Sequence, residues 1–110
     1  MIKASFRFEE GTQKITKVEV SGHAEMAEYG YDIVCASVSA LVIAAINGLE
    51  EYVQTEVRAN VENGITSLEI DEKESLKSTQ AQAILNTLYI AMLGLEDEYE
   101  DYIEVTITEE

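Results

Sequence analysis

His23 and Cys35 are the one histidine and the one cysteine of this chain, twelve positions apart. Residues of these two types can perform nucleophilic acyl chemistry. A thiolate attacks a carbonyl carbon, and an imidazole takes and returns the proton. Cys35 is expected to open a helix. The first helical turn carries unsatisfied backbone N–H groups and the positive end of the helix dipole. Both favour thiolate, which is the nucleophilic form. The N–H groups of Cys35 and Ala36 would then be natural donors to an oxyanion. Asp32 could orient His23, or it could only cap the helix, and the cap is the simpler role. Glu25 and Glu28 lie in the same segment and could also face the imidazole.

Plainer readings stand beside this one. A lone cysteine in an apolar helix is usually a small buried hydrophobe. A lone histidine near glycines is usually a surface or structural residue. The spacing of the pair has no mechanical signature of its own. A metal site has little support, because one His and one Cys supply only two ligands and the carboxylates lack ligand-type spacing.

The elements that must position the pair follow from hydrophobic period. Residues 2–9 alternate Ile2, Ala4, Phe6 and Phe8 with Lys3, Ser5 and Arg7, the pattern of a half-buried strand. A turn at Glu10-Gly11-Thr12 leads to a second strand at 14–20, which predicts a hairpin. Residues 21–32 lose the period and hold Gly22, Tyr29, Gly30 and Tyr31, which predicts a loop able to contact a substrate. A helix is expected from about Asp32 or Ile33 to Val53. Its stretch from Val34 to Ile46 is apolar on nearly every face, so it should be buried between a sheet and either a second helix or another subunit. Strands at 56–61 and 65–70 flank Asn63-Gly64, a strong hairpin signal. A second helix is expected over 75–95 and a last strand over 103–107. The order β-β-α-β-β-α-β predicts an α+β fold. It would be a two-layer α/β sandwich, with one five-stranded mixed sheet and two helices on one face.

Composition bounds the rest. A chain of 110 residues implies one domain, residues 1–110. With 22 acidic and 7 basic residues the net charge is −15. Such a surface should repel nucleic acid phosphates and could attract a basic protein or peptide. A single cysteine permits no internal disulfide and fits a reducing, cytoplasmic setting. No export signal is evident, and the run Ile33 to Ile46 is shorter than the ~20 residues a membrane span needs.

The wording around the pair is more specific than its chemistry. Ser21-Gly22-His23-Ala24, followed by Tyr29-Gly30-Tyr31-Asp32-Ile33-Val34-Cys35-Ala36-Ser37-Val38-Ser39-Ala40-Leu41, resembles the ribosomal-processing cysteine protease family Prp. The resemblance extends along the chain in length and element order. It implies that His23 and Cys35 are the catalytic pair, with Asp32 a candidate third member. It implies an endopeptidase that removes the short N-terminal extension of the twenty-seventh protein of the large bacterial ribosomal subunit. It further implies a homodimer that needs no cofactor. The alternatives from the residues themselves are a non-catalytic ribosome-associated assembly factor that binds a basic protein tail, and another thiol enzyme such as an acyltransferase.

Overall fold

The alternating segments form the expected strands, and the computed structural model shows how they pair. It describes residues 1–22, 29–62 and 64–110, with the side chains of all of these except 29–32. Strands β1 (Ile2–Phe8), β2 (Ile15–Ser21), β3 (Arg58–Glu62), β4 (Ile65–Glu69) and β5 (Ile103–Glu109) make one sheet in the order β3-β4-β2-β1-β5. Helix α1 spans Tyr29–Asn47 and α2 spans Ser75–Glu98. The α+β class, the five-stranded mixed sheet and the two helices are those expected from the sequence.

Pairing is antiparallel for β1 with β2, β2 with β4, and β3 with β4, and parallel for β1 with β5. Hence β3 runs with β2, and β5 runs with β4. The crossover from β2 to β3 moves one way across the sheet. The crossover from β4 to β5 moves the other way, on strands of opposite direction. When both crossovers take the usual right-handed path, their helices fall on the same face. Ile2, Ala4, Phe6, Val18, Leu68 and Ile103 from the sheet share one buried core with Val34, Val38, Val42, Ala45, Leu85, Leu88 and Met92 from the helices. Tyr89 of α2 packs edge-on between Phe6 and Phe8, with ring centroids 5.0 and 5.4 Å away.

Local chemistry sets the ends of the elements. The Glu74 carboxylate caps α2, accepting from the N–H groups of Leu76 and Lys77 at 3.2 and 2.7 Å. After Asn47 the first helix widens into a π-helical turn, Gly48–Val53, which stops at Gln54 in the left-handed region with φ 61°. β3 is solvent-exposed along its whole length, as befits a short edge strand beyond the cover of the helices.

Two expectations need correction. The first helix starts at Tyr29, not at Asp32 or Ile33, so Tyr29, Gly30 and Tyr31 belong to a helix rather than a loop. Helical period is hard to see there because glycine and two tyrosines interrupt it. The second correction concerns length. The helical run Ile33–Val53 has 21 residues and a mean hydropathy of 1.9, long and apolar enough to cross a bilayer by those two measures. The shorter estimate counted only the apolar run to Ile46, whereas the helical run, as expected, continues to Val53. One stripe of this run, from Val34 through Val42 and Leu49 to Val53, is nevertheless packed into the core with the sheet, as in a core helix.

Candidate active site

The pairings bring the start of β1, the end of β2, the start of β4 and the start of β5 to one end of the sheet. Lys3 and Ile65 both pair with Ser21, and Ile2 pairs with Ile103. The chain leaves this end after Gly22 and begins α1 at Tyr29. Gly22 and the start of α1, which carries Asp32-Ile33-Val34-Cys35, therefore meet the fold at the same end. The alternation of β2 delivers the chain to this edge, and the buried Val34 docks the helix beside it.

Cys35 follows Val34 and is half-buried, lying against the core with its thiol unbonded to another cysteine. It is therefore neither a fully buried hydrophobe nor a freely exposed thiol. Because α1 starts at Tyr29, Cys35 ends the second helical turn, not the first. In a regular helix its N–H and that of Ala36 bond to carbonyls four residues back. The first-turn argument that made Cys35 and Ala36 oxyanion donors thus loses its premise. The N–H groups without intrahelical partners belong to the first four helical positions, Tyr29 to Asp32. One turn on, the Ser37 hydroxyl donates to the Ile33 carbonyl at 2.9 Å, which secures this part of the helix without using the thiol.

His23, Glu25 and Glu28 lie outside the described residues. Asp32 is in the first turn of α1, ahead of Cys35 on the same helix. Gly22 sits close against the start of the chain. Its φ is +94°, and its α-carbon faces the backbone of Met1 and Ile2. Sequence reasoning missed this contact. The only local signal was a glycine directly before the histidine.

The same end is strongly acidic. Met1, Glu96, Asp97, Glu100, Ile103 and Glu104 line a shallow hollow of about 330 Å³ beside the start of β1. Glu96 has a structural duty there, since its carboxylate accepts the Val105 N–H at 2.7 Å. Among the described residues no group of three or more His, Cys, Asp or Glu side chains could share a metal ion.

A half-buried thiol near the start of a helix is compatible with a thiol hydrolase, and the similarities of the chain give that class. The model of the family described as cysteine protease Prp matches residues 1–104. The chain belongs to that family and is a cysteine protease. It is 30% identical over 92 residues to a ribosomal processing cysteine protease of Staphylococcus aureus, covering 84% of this chain and 86% of the relative. It is 30% identical over 109 residues to the Bacillus subtilis protein of the same name, covering 96% of each. Its fold superposes on a crystal structure of the S. aureus protease in complex with a substrate peptide. The TM-score is 0.86 at 26% identity, covering 98% of this chain and 100% of that one.

Proposed function

We propose that this protease removes the N-terminal extension of the twenty-seventh protein of the large ribosomal subunit, with Cys35 as nucleophile and His23 as general base and acid. The observation that carries the reading is the match over nearly the whole of both chains to an S. aureus ribosomal processing protease solved with a substrate peptide. The motif residues Gly22-His23-Ala24 and Asp32-Ile33-Val34-Cys35 support the assignment of the pair.

In this mechanism His23 takes the Cys35 thiol proton as the sulfur attacks the scissile carbonyl. Collapse of the tetrahedral intermediate breaks the C–N bond, and the imidazolium gives its proton to the leaving amine. The remaining thioester is attacked by water, whose proton passes to His23. The second collapse releases the carboxyl product and restores the thiol. Asp32 acts as the orienting partner of His23, or only as a polar group of the first helical turn.

Two further parts belong to the same reading. The acidic rim at Glu100 and Glu104 would favour the basic residues that follow the cleavage point in such a substrate. A homodimer would cover the outer side of the helical layer, where Ile43 and Ile90 are 58% and 67% exposed beside a groove lined by Ala44, Ala83 and Ala91. The setting is the cytoplasm, with neither direct nucleic acid contact nor a membrane required.

The experiment is incubation of the enzyme with the precursor ribosomal protein and mass measurement of the products. The expected products are the shortened protein and the released extension. Cys35→Ala and His23→Ala should each abolish cleavage while the circular dichroism spectrum is retained. A Cys35→Ala variant that still cuts would end the proposal. Binding without cleavage by the wild type would favour an assembly factor instead.

A further inference from the structure

Gly22 directly follows β2 in a conformation that L side chains rarely adopt, with φ +94°. A β-carbon there would overlap the Met1 carbonyl oxygen and lie 3.1 Å from the Ile2 Cα and 3.2 Å from the Met1 carbonyl carbon. All three obstacles are backbone, so no side-chain rotation relieves them. That backbone is held from its other sides. The Ile2 N–H donates to the Tyr102 carbonyl at 2.9 Å, and Ile2 pairs with Ile103 of β5. Ile2 is also 1% exposed in the core. A side chain at position 22 must therefore displace the end of β2 rather than the start of β1. The next residue in the chain is His23.

Gly11 shows that the conformation alone does not impose this constraint. It has a comparable φ of +74°, yet nothing lies within 4 Å of where its β-carbon would be.

We propose that Gly22 is a positioning residue for the catalytic pair, its bare α-carbon seating the chain against the Met1–Ile2 backbone one residue before His23. This rests on the assignment of His23 and Cys35 as the catalytic pair.

The test compares Gly22→Ala, Gly11→Ala, His23→Ala and the double variant Gly22→Ala/His23→Ala. Three quantities are measured: kcat and KM on a peptide spanning the cleavage point, the rate of Cys35 alkylation by iodoacetamide against pH, and thermal unfolding. Gly22→Ala should lose roughly a hundredfold in kcat, the scale of a ~1 Å misplacement, with KM within about twofold. Its alkylation profile should move toward that of His23→Ala. The double variant should be no worse than His23→Ala, and Gly11→Ala should keep wild-type kcat. If Gly22→Ala is too unstable to assay, Gly22→Asn meets the same backbone but tolerates positive φ better, and it carries the same expectations.

A folded Gly22 variant with wild-type kcat and alkylation profile, beside an inactive His23→Ala, would overturn this proposal and leave the catalytic pair standing. An equal kcat loss in Gly11→Ala would also overturn it. A His23→Ala enzyme that still cleaves would remove the pair and the proposal together.

Discussion

The Gln82 side chain of α2 joins both backbone groups of Ile15 at the start of β2. Its Oε1 accepts the Ile15 N–H at 2.7 Å, and its Nε2 donates to the Ile15 carbonyl at 2.8 Å. A side-chain amide thus replaces a strand partner at the half-covered beginning of the strand. Gln82→Leu leaves both groups unpaired and should cost about 2 kcal/mol in urea unfolding. The Gln82→Glu variant keeps the acceptor but directs a carboxylate at the Ile15 carbonyl. Only its protonated form can donate, so its folded pKa is raised. That variant should be closest to wild type in acid and should lose stability as pH rises through the folded value. Cleavage measured well below the unfolding temperature should be unchanged. Ile15 and Ser21 are opposite ends of β2, roughly 20 Å apart at ~3.3 Å per residue.

The open face of the sheet carries a second pH-sensitive contact. Arg7 Nη2 lies 2.7 Å from a Glu69 carboxylate oxygen, and Arg58 lies 3.8 Å from the same oxygen. The Arg7 hydrogen bond holds the Glu69 pKa below its ordinary 4.5. A carboxylate with a depressed folded pKa stabilises the protein above the unfolded value, and that stability is lost as pH falls through the folded one. Arg7→Met should therefore lower the unfolding midpoint at neutral pH and flatten its fall below about pH 4.5. The pair is partly exposed, so the neutral-pH loss should stay under about 1 kcal/mol.

Salt dependence tests the acidic rim. Replacing the basic residues of the substrate peptide with neutral ones should lower kcat/KM roughly fivefold at low ionic strength, the equivalent of ~1 kcal/mol. The difference should shrink toward zero at 1 M salt, where the Debye length is about 3 Å. Glu100→Gln/Glu104→Gln should reproduce the loss with the basic peptide and leave the neutral peptide unaffected. No change in either case would sink the electrostatic part.

Self-association can be read by sedimentation. Ile43→Glu and Ile90→Glu place charges on the exposed apolar side of the two helices. If this side is the dimer contact, each should convert a dimer to a monomer at micromolar concentration with little effect on unfolding. Thr106→Glu, at the position paired with Ser5 on the open face of the sheet, should leave the assembly unchanged.

Much of this architecture was legible in the residues. The alternation Ile2, Ala4, Phe6 marked β1, and each of these side chains is buried. Asn63-Gly64 marked the β3–β4 hairpin, where Gly64 has φ +75°. Of the apolar residues spaced for a helix over 75–95, Leu88 and Met92 lie on the inner face of α2, whereas Leu76 is exposed. The start of α1 was not legible, since Tyr29-Gly30-Tyr31 shows no helical period, and that error moved Cys35 into the wrong turn. The role of Gly22 was hidden too, because the atoms that forbid a side chain belong to Met1 and Ile2.

The sequence by itself determined which segments are strands and helices, which of their faces are apolar, and which histidine and cysteine carry the family's wording. These are local properties, written in the spacing of neighbouring residues. Only the tertiary structure decided that β5 lies parallel beside β1, that α1 begins at Tyr29, and that Gly22 rests against the first residues of β1. Those outcomes depend on which distant surfaces pack best together. No stretch of neighbouring residues records that comparison.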